Sequence, residues 1–349
     1  MMHKIEKYFQ QVWYEKRKPP CLLKPLEIFY RRVVDKRRLR FVQNVNASYS
    51  PEVPVIIVGN ITVGGTGKTP LTLFLIEGLK GKGLNVGVIS RGYGGSAKQY
   101  PIAVDKNSSA REVGDEPLMV YLRSGAPVVV DPDRVAAAKY LEQNFNVDII
   151  ISDDGLQHYA LNRSVEIVVM DATRGIGNGC CLPMGPLREP VARLASVDYL
   201  IVNGGNIDVL SSDVRSAFGN ADASYSMQIM AQGLEPVFQS GNRQLPPQNT
   251  EVYGVAGIGN PVRFFSTLSE FGYQVTEMPF PDHYQYKQSD FESMSDMQIV
   301  MTEKDAVKVH SLELAPNLTN SWYLKVSANI SPLLIDGILQ KLYPEKLQP

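Results

Sequence analysis

A glycine-rich segment near residue 65 holds the residues with the clearest chemical purpose. Backbone N–H groups of such a turn can surround phosphate oxygens, and the N-terminus of a following helix adds partial positive charge. In this layout the Lys68 side chain reaches the β- and γ-phosphates, and the Thr69 hydroxyl ligates Mg²⁺. The sequence therefore predicts a P-loop for a nucleoside triphosphate, in which Thr62 replaces the usual first glycine. The predicted phosphate-binding residues are Thr62, Val63, Gly64, Gly65, Thr66, Gly67, Lys68 and Thr69.

A second signal is a pair of adjacent acids, Asp153 and Asp154, that follow the apolar run 149–151 and Ser152. A carboxylate at the end of a buried strand holds Mg²⁺ in the Walker B arrangement, either directly or through water. An acidic loop without a metal is equally common when the pattern stands alone, but the P-loop favours the metal site. Since neighbouring side chains point in different directions, we expect only one of the two acids to contact the metal closely.

Five further side chains could act on a bound phosphate or on an acceptor. Asp115 precedes a helical pattern, where it serves either as a helix N-cap or as a base that accepts a hydroxyl proton. His283 lies in a proline-flanked loop, and His158 lies near the acid pair. Each histidine is either a functional group or an ordinary loop residue. Arg91 and Arg188 could neutralise transition-state charge or could form structural salt bridges.

The elements that must position these residues alternate between apolar strands and helical patterns. Near-continuous apolar strands separated by helices predict a P-loop NTPase-like α/β fold, with a mostly parallel sheet and helices on both faces. Ligands bind at the carboxyl ends of such strands, where the polar candidates cluster. The predicted strands of this part are 55–58, 86–89, 128–130, 149–151, 167–170 and 200–202, and the predicted helices are 71–79, 116–122 and 134–145.

The chain divides into four predicted parts. Residues 1–45 form a basic amphipathic segment, residues 46–225 form the P-loop domain, residues 226–330 form a smaller α/β domain, and residues 331–349 contain a terminal helix at 332–342. Within the smaller domain, Gly, Pro, Gln and Asn enrichment predicts turns and loops over 233–247. Strands are predicted there at 252–255, 298–301 and 323–326, and a helix at 262–271.

The N-terminal part has a charge unlike that of the rest. The chain has 349 residues and a formal net charge of −1, yet residues 1–40 carry twelve Lys/Arg and only four Asp/Glu. The apolar residues Leu22, Leu26, Phe29 and Val33 recur at helical spacing among these basic residues. This pattern predicts a helix that either lies in an anionic membrane interface or docks on its own domain.

Cysteine content and hydropathy set further bounds. Three cysteines make no disulfide framework, which fits a reducing cytoplasm. The sequence contains no apolar run of about 18 residues, so no transmembrane helix is predicted. The N-terminus lacks the apolar core of a signal peptide.

In combination, seven segments of the chain resemble those of the tetraacyldisaccharide 4'-kinases of lipid A biosynthesis. The resemblance spans about residues 20–310, most of the chain. The Thr-for-Gly loop followed by proline, together with Asp-Asp-Gly-x-Gln-His, is its most specific part. The matching segments are 59–70, 90–94, 114–117, 153–158, 182–190, 281–283 and 302–306.

The resemblance implies an activity that spacing alone does not. Such kinases transfer the γ-phosphate of ATP, with Mg²⁺, to the 4'-hydroxyl of an acylated glucosamine disaccharide 1-phosphate at the cytoplasmic face of the bacterial inner membrane. It places the catalytic acid and its partner histidine on Asp115 and His283, and metal-site acids on Asp153, Asp154 and Glu189. Many relatives begin with a hydrophobic helix. Here that segment is short and basic, so we expect peripheral membrane contact through residues 1–41.

Other functional classes remain as alternatives. A P-loop ATPase of the partitioning or metal-cluster-assembly type would use ATP as a switch, and it often has a second lysine early in the loop; none precedes Lys68 here. A GTP switch would need Asn-Lys-x-Asp, but Asn203-Gly204-Gly205-Asn206 follows the strand at 200–202. A nucleic-acid-binding arm is the non-enzymatic option. We expect a monomer with a lipid substrate and no nucleic-acid partner.

Overall fold

The computed structural model describes residues 2–15, 17–44, 47–238, 244–294, 297–310, 318 and 320–344, with side chains from residue 8 onward. The predicted basic residue Lys16 lies outside these ranges. Parts of the predicted segments 1–45, 226–330 and 331–349 also lie outside the described residues.

The described strands form one twelve-stranded sheet in the order β10-β9-β11-β12-β8-β7-β6-β1-β5-β2-β4-β3. Neighbouring strands are parallel except for the β3–β4 and β8–β12 pairs, which are antiparallel. The strands are β1 (Val55–Gly59), β2 (Val86–Ser90), β3 (Ile102–Ala103), β4 (Val128–Val130), β5 (Ile149–Asp153), β6 (Val165–Asp171), β7 (Tyr199–Asn203), β8 (Ser224–Pro236), β9 (Glu251–Ala256), β10 (Gln274–Pro279), β11 (Gln298–Thr302) and β12 (Ser321–Ile330).

Helices connect the parallel strands and cover both faces of the sheet. Short 3₁₀ turns complete several of the connections. The α-helices of the described residues are α1 (Met2–Tyr14), α2 (Lys24–Gln43), α3 (Lys68–Gly81), α4 (Ala110–Val113), α5 (Asp115–Ser124), α6 (Arg134–Asn144), α7 (Ser212–Phe218), α8 (Pro261–Glu270), α9 (Glu303–His310) and α10 (Leu333–Leu342).

Strand β1 shows why the central sheet forms. All five of its residues are buried. Because successive side chains point to opposite faces, Ile56 packs in the core cluster that contains Leu75 of α3, while Ile57 packs in the cluster that contains Leu141 of α6. A strand buried on both faces needs a continuous apolar run, which the sequence supplies. The predicted mostly parallel sheet with helices on both faces is confirmed.

The second half of the sheet is joined to the first through β8 and β12. The prediction of turns and loops over 233–247 is wrong at its start, because residues 233–236 belong to β8. The pairing register shifts between Lys325 and Val326, where Gly233 adopts a φ of 126°. Gly233 therefore marks a β-bulge within the long strand β8 and not a chain reversal. Two further core clusters lie around β9 and β11.

The two N-terminal helices differ in how they pack. In α1, Val12 is buried and the Trp13 indole Nε1 donates a hydrogen bond to the Pro183 carbonyl, at 3.3 Å. In α2 no residue is buried, although the Tyr30 hydroxyl donates to the Arg188 carbonyl at 3.0 Å. The described part of the chain contains no helix with the length and apolar content that a bilayer span requires.

The end of β1 tolerates no side chain, and this leads to a stability prediction. A Cβ on Gly59 would lie 2.5 Å from Leu156 Cβ and 3.2 Å from the Leu156 backbone N. We expect Gly59→Ala to lower the free energy of unfolding by about 1–3 kcal/mol, because overpacking forces the backbone to shift. Urea denaturation measures this change. The control Gly81→Ala, where a Cβ meets open space at the end of α3, should not destabilise the protein. Equal stability of both variants would contradict the prediction.

Candidate active site

The phosphate-binding loop connects β1 to α3 and follows the predicted strand–loop–helix layout. Gly64 and Gly67 have φ values of 102° and 99°, which side-chain-bearing residues rarely adopt. A Cβ on Gly67 would also lie 2.8 Å from the Asn203 Nδ2. That amide, at the end of β7, donates to the Thr66 carbonyl at 3.0 Å. The loop shape is therefore fixed by glycine conformation and by a side chain from a neighbouring strand.

A second loop lies against the phosphate-binding loop. Val63 N donates to the Pro186 carbonyl at 2.9 Å, and Arg188 N donates to the Ile61 carbonyl at 2.7 Å. Thr62 pairs with Leu187 in an isolated antiparallel bridge. Thr62, which replaces the usual first glycine, thus has a defined backbone partner. These hydrogen bonds bring the Arg188 side chain to the same edge of the sheet as Lys68.

Asp154 is held between two cations. Its carboxylate lies 3.5 Å from Lys68 Nζ and accepts hydrogen bonds of 3.0 Å from Arg188 NH1 at both oxygens. Burial raises the pKa of Asp154, but the Lys68 and Arg188 charges outweigh it and hold the pKa below its ordinary value. The structure therefore brings together three residues that the sequence singled out separately: Lys68, Asp154 and Arg188.

Asp153 has a different environment from its neighbour. Its side chain is buried against the first turns of α3, where the Thr72 hydroxyl donates to Oδ1 at 3.4 Å. Burial, together with the nearby Glu116 charge, raises the pKa of Asp153 to about 7. A carboxylate that burial makes costly to ionise is well suited to a cation, which would favour the charged form. The two acids thus point in different directions, as expected from their adjacency in sequence.

Asp115 and His283 meet across the two halves of the chain. His283 Nδ1 lies 3.1 Å from Asp115 Oδ2, and Asp115 Oδ1 accepts a 2.9 Å hydrogen bond from Glu116 N. Burial raises the pKa of Asp115, but the His283 hydrogen bond and the Lys304 and Lys308 charges outweigh it, so the pKa lies below its ordinary value. The carboxylate is therefore ionised at neutral pH and has lone pairs left to accept another proton donor.

His283 is held in a strained backbone conformation. Its φ of 57° is uncommon for a residue with a side chain. Its amide donates to Asp282 Oδ1 at 3.0 Å, and its ring packs edge-on against Tyr93, with centroids 4.8 Å apart. Such strain persists where surrounding contacts fix it, and it often occurs at functional sites.

A lysine that sequence reasoning did not single out lies at the centre of this cluster. Lys304 Nζ, from the first turn of α9, lies 3.1 Å from Glu116 Oε1, 3.3 Å from Asp282 Oδ1 and 3.3 Å from His283 Nε2. Burial lowers the pKa of Lys304, but the Glu116, Asp115 and Asp282 charges outweigh it and raise the pKa above its ordinary value. Two sequence signals point to it: its place just after the carboxyl end of a strand, and its position inside the family-like segment 302–306.

One cleft of about 630 Å³ contains most of these groups. Its polar side includes the phosphate-binding loop from Val63 to Thr69, with Asp154, Arg188, His283 and Lys304. Its apolar side is contributed by both halves of the sheet and by the helices next to them. The apolar lining residues include Leu73, Met119, Ile229, Ile258, Phe264, Leu324 and Val326.

Three residues of the sequence-based prediction occupy other places. Glu189 is buried, and its carboxylate accepts hydrogen bonds from the Tyr159 hydroxyl and, at 2.9 Å, from Gln157 Nε2. Arg91 is exposed just beyond β2. His158 is half-buried, and burial with the nearby Arg134 charge lowers its pKa to about 4. At neutral pH His158 is therefore an uncharged imidazole.

Arg134 is a second residue that the sequence did not point out. It is almost fully buried at the start of α6, and its guanidinium donates to the backbone carbonyls of Asp131 and Asp153, at 3.0 and 3.1 Å. Burial lowers the pKa of Arg134 to about 10, and nearby carboxylates oppose that shift. Its positive charge beside the acid pair places a fixed cation behind the predicted metal site.

Comparison with known proteins gives a consistent result. The family model for tetraacyldisaccharide-1-P 4'-kinase matches residues 20–343. The tetraacyldisaccharide 4'-kinase of Stutzerimonas stutzeri is 43% identical over 349 residues, which cover 98% of this chain and 99% of the relative. That of Pseudomonas fluorescens is 44% identical over 347 residues, which cover 97% and 98%.

A solved structure is similar over almost the whole chain. It is the crystal structure of the apo form of LpxK from Aquifex aeolicus in complex with ATP, with 25% sequence identity and a TM-score of 0.73. The similarity covers 92% of this chain and 98% of that one.

Proposed function

Because this chain belongs to the tetraacyldisaccharide-1-P 4'-kinase family, we propose that it transfers the γ-phosphate of ATP to the 4'-hydroxyl of an acylated glucosamine disaccharide 1-phosphate. The single observation that carries the residue-level mechanism is the 3.1 Å contact between Asp115 and His283, a residue that lines the cleft with the phosphate-binding loop. A base beside a triphosphate site is what phosphoryl transfer to an alcohol requires.

ATP is bound through the loop from Thr62 to Thr69. The backbone N–H groups of residues 64–69 and the N-terminus of α3 face the phosphates, and Lys68 contacts the β- and γ-phosphates. The similar Aquifex aeolicus structure was solved in complex with ATP, which supports the same nucleotide here. Entry of the triphosphate gives Lys68 a stronger anionic partner than the Asp154 carboxylate, which keeps its contact with Arg188.

Thr69, in the first turn of α3, and Asp153, opposite Val58 near the end of β1, would hold Mg²⁺, with Asp154 next to them. Mg²⁺ usually takes one or two protein ligands and completes its coordination with waters and substrate phosphates. Held there, Mg²⁺ would supply positive charge that offsets the charge developing on the phosphates. Glu189 is less suited to this role, because its oxygens already accept hydrogen bonds from Tyr159 and Gln157.

Asp115 acts as the base for the acceptor hydroxyl. The sugar oxygen forms a bond to the γ-phosphorus while the bond from that phosphorus to the β,γ-bridging oxygen breaks, and ADP leaves. The hydroxyl proton passes to the Asp115 carboxylate and then to solvent. His283 orients Asp115, and together they contribute about 10²–10⁴ in rate, the usual range for general-base catalysis.

The two halves of the chain both contribute to this site. Asp115 lies on α5 in the first half, and His283 lies in the loop that follows β10 in the second half. Contacts between α5 and α9, which include a 2.7 Å ion pair between Arg123 and Glu303, hold the halves together beside the cleft. Closure of the cleft around both substrates would exclude water and so suppress wasteful ATP hydrolysis.

Transfer of labelled phosphate tests the proposal. The protein is incubated with γ-labelled ATP, Mg²⁺ and an acylated glucosamine disaccharide 1-phosphate, and we expect the label on the lipid. A 4'-deoxy analogue is the matched control and should receive no label. ATP hydrolysis without labelled lipid, or equal labelling of the 4'-deoxy analogue, would contradict the proposed acceptor.

The alternative of a P-loop ATPase that acts as a switch is not favoured. The family match and the relatives at 43–44% identity are kinases. The Asp115–His283 pair also suits removal of the proton from an acceptor hydroxyl.

Exposed apolar side chains on α2 and in the turn before it support peripheral membrane contact. Leu22, in the 3₁₀ turn that precedes α2, and Phe29, on α2, are 88% and 69% exposed among basic residues, as in a helix that lies in an anionic interface. We expect Leu22→Glu/Phe29→Glu to weaken co-sedimentation with anionic vesicles roughly a hundredfold, because each side chain loses about 1.5 kcal/mol or more of burial. The control Leu333→Glu, at a 63% exposed site on α10, should bind like the wild type. Unchanged binding of the double variant would reject the membrane role of α2.

A further inference from the structure

The Lys304 ammonium contacts residues from both halves of the chain at the centre of the cleft. It lies near Glu116 on α5, near Asp282 in the loop after β10, and 3.3 Å from His283 Nε2. Only 14% of its side chain is exposed. An ammonium so enclosed by carboxylates is held in place and stays charged, so it is a fixed hydrogen-bond donor next to the imidazole.

The two nitrogens of His283 have partners of opposite kinds. An ammonium group can only donate hydrogen bonds, so Nε2, which faces Lys304, must act as an acceptor. An ionised carboxylate can only accept, so Nδ1, which faces Asp115 at 3.1 Å, must carry a proton. We infer that Lys304 is a positioning residue that holds His283 as the neutral, Nδ1-protonated tautomer, so that Asp115 alone receives the hydroxyl proton.

This assignment deepens the proposed function and rests on it for its role in catalysis. With Nδ1 already protonated, His283 cannot take the proton that Asp115 receives. It can only donate a hydrogen bond to Asp115 and hold the carboxylate towards the acceptor. Lys304 therefore separates the two roles that an Asp–His pair can share, which leaves orientation to His283 and proton transfer to Asp115.

Charged groups from every neighbouring element decide what happens when Lys304 is absent. Asp115 faces Nδ1 from α5, the Tyr93 ring packs from the loop after β2, and Asp282 Oδ1 lies 3.8 Å from Nε2. Glu116 also loses its ammonium partner. Lys308 Nζ, also on α9, lies 4.0 Å from Asp115 Oδ2 and remains in place. Without Lys304, Nε2 no longer faces a hydrogen-bond donor and has the Asp282 carboxylate as a neighbour, so it can carry a proton. We therefore expect a proton on both nitrogens of His283 in Lys304→Met.

Nitrogen NMR of the full-length protein labelled with ¹⁵N-histidine distinguishes these states. The chain has only four histidines, and the signal of His283 is identified by its loss in His283→Gln. The wild type should show a protonated Nδ1 and an unprotonated Nε2 at neutral pH. A protonated Nε2 in the wild type would overturn the inference, whether or not any Lys304 variant folds.

Variants then connect the tautomer to Lys304. Lys304→Met should show two protonated nitrogens, and adding Asp282→Asn should return His283 towards the neutral form. Lys304→Arg, which also only donates, should keep the wild-type signature. The control Lys325→Met removes a lysine that pairs with Glu235 at 2.7 Å between β12 and β8, and it should leave His283 unchanged. A wild-type spectrum for Lys304→Met would overturn the inference.

Kinetic measurements separate this inference from the proposed function. Lys304→Met should lower kcat by about 10²-fold, with a smaller change in the KM for ATP, and Lys304→Arg should recover part of it. Because NMR reads the tautomer without substrate, a wild type with the expected signature but no lipid phosphorylation would reject the proposed function alone. Active wild type with a protonated Nε2 would reject the Lys304 assignment alone.

Discussion

Asp115→Asn lowers kcat for lipid phosphorylation by about 10³-fold while the Kd for ATP changes by less than about threefold, which is the result expected if Asp115 is the general base. The amide keeps the size of the carboxylate and can still accept from the Glu116 backbone N–H, which now contacts Asp115 Oδ1 at 2.9 Å. It cannot take a proton from the sugar hydroxyl. The measurement combines steady-state kinetics with calorimetric titration of ATP.

The control for this variant is Asp105→Asn. Asp105 is an exposed aspartate in a loop, where it accepts hydrogen bonds from Asn107 N and the Ser108 hydroxyl. It should lose none of the activity. If Asp115→Asn kept turnover within threefold of wild type, Asp115 would be excluded as the base.

A double variant tests whether Asp115 and His283 act as one unit. His283→Gln alone should lower kcat less than Asp115→Asn, because the base is still present but less well oriented. The combined variant should be no worse than Asp115→Asn alone, since groups that act together are not additive. Independent, multiplying losses would show that His283 acts by another route.

The pH dependence of kcat gives a further check. Because the His283 hydrogen bond and the Lys304 and Lys308 charges hold the pKa of Asp115 below its ordinary value, the wild type should keep the base ionised throughout the neutral range. The acid limb due to Asp115 should therefore lie below the range in which an ordinary aspartate titrates. In Lys304→Met the carboxylate loses a cation 3.9 Å away. The doubly protonated His283 expected in that variant lies closer, at 3.1 Å, so the acid limb due to Asp115 should not move to higher pH.

The sequence alone predicts those parts of the site whose residues are close together in the chain. A strand, a glycine-rich turn and Gly67-Lys68-Thr69 specify the phosphate-binding loop within one short segment, and the structure has it in that form. The position of Asp153 and Asp154 can be predicted in the same way, because a strand that ends in two carboxylates must place them at the same edge of the sheet. Local pattern could not say that Asp154 pairs with Arg188, which is 34 residues away.

Other features depend on contacts between distant segments. The sequence predicts loops where β8 ends, because a strand with only Met227 buried and with Gly233 near its end has no clear apolar pattern. Helix α1 was not predicted, and its burial depends on Pro183 and other residues of a distant loop. Lys304 lies in a charged helix start within the family-like segment 302–306, and local pattern could not predict its contacts with Glu116, Asp282 and His283, which the fold brings to it.

The second large effect is expected at the phosphate-binding lysine. Lys68→Met should lower kcat by about 10²–10³-fold, because it removes a preorganised charge from the phosphates as negative charge shifts in the transition state. ATP affinity should weaken as well, since the lysine also contacts the ground-state phosphates. Single-turnover phosphoryl transfer at saturating ATP separates the chemical step from binding.

The fold offers a matched control on the same helix. Lys80 lies in the last turn of α3, is exposed, and donates to the Ser124 carbonyl at 2.7 Å. Lys80→Met should therefore leave transfer and ATP binding near wild type. Asp154→Asn should be less damaging than Lys68→Met if Asp154 mainly positions Lys68 and Arg188, and comparably damaging if it is itself a metal ligand. If Lys68→Met transferred phosphate at the wild-type rate, the triphosphate would have to lie elsewhere. ATP bound in this loop places a phosphate in contact with Lys68.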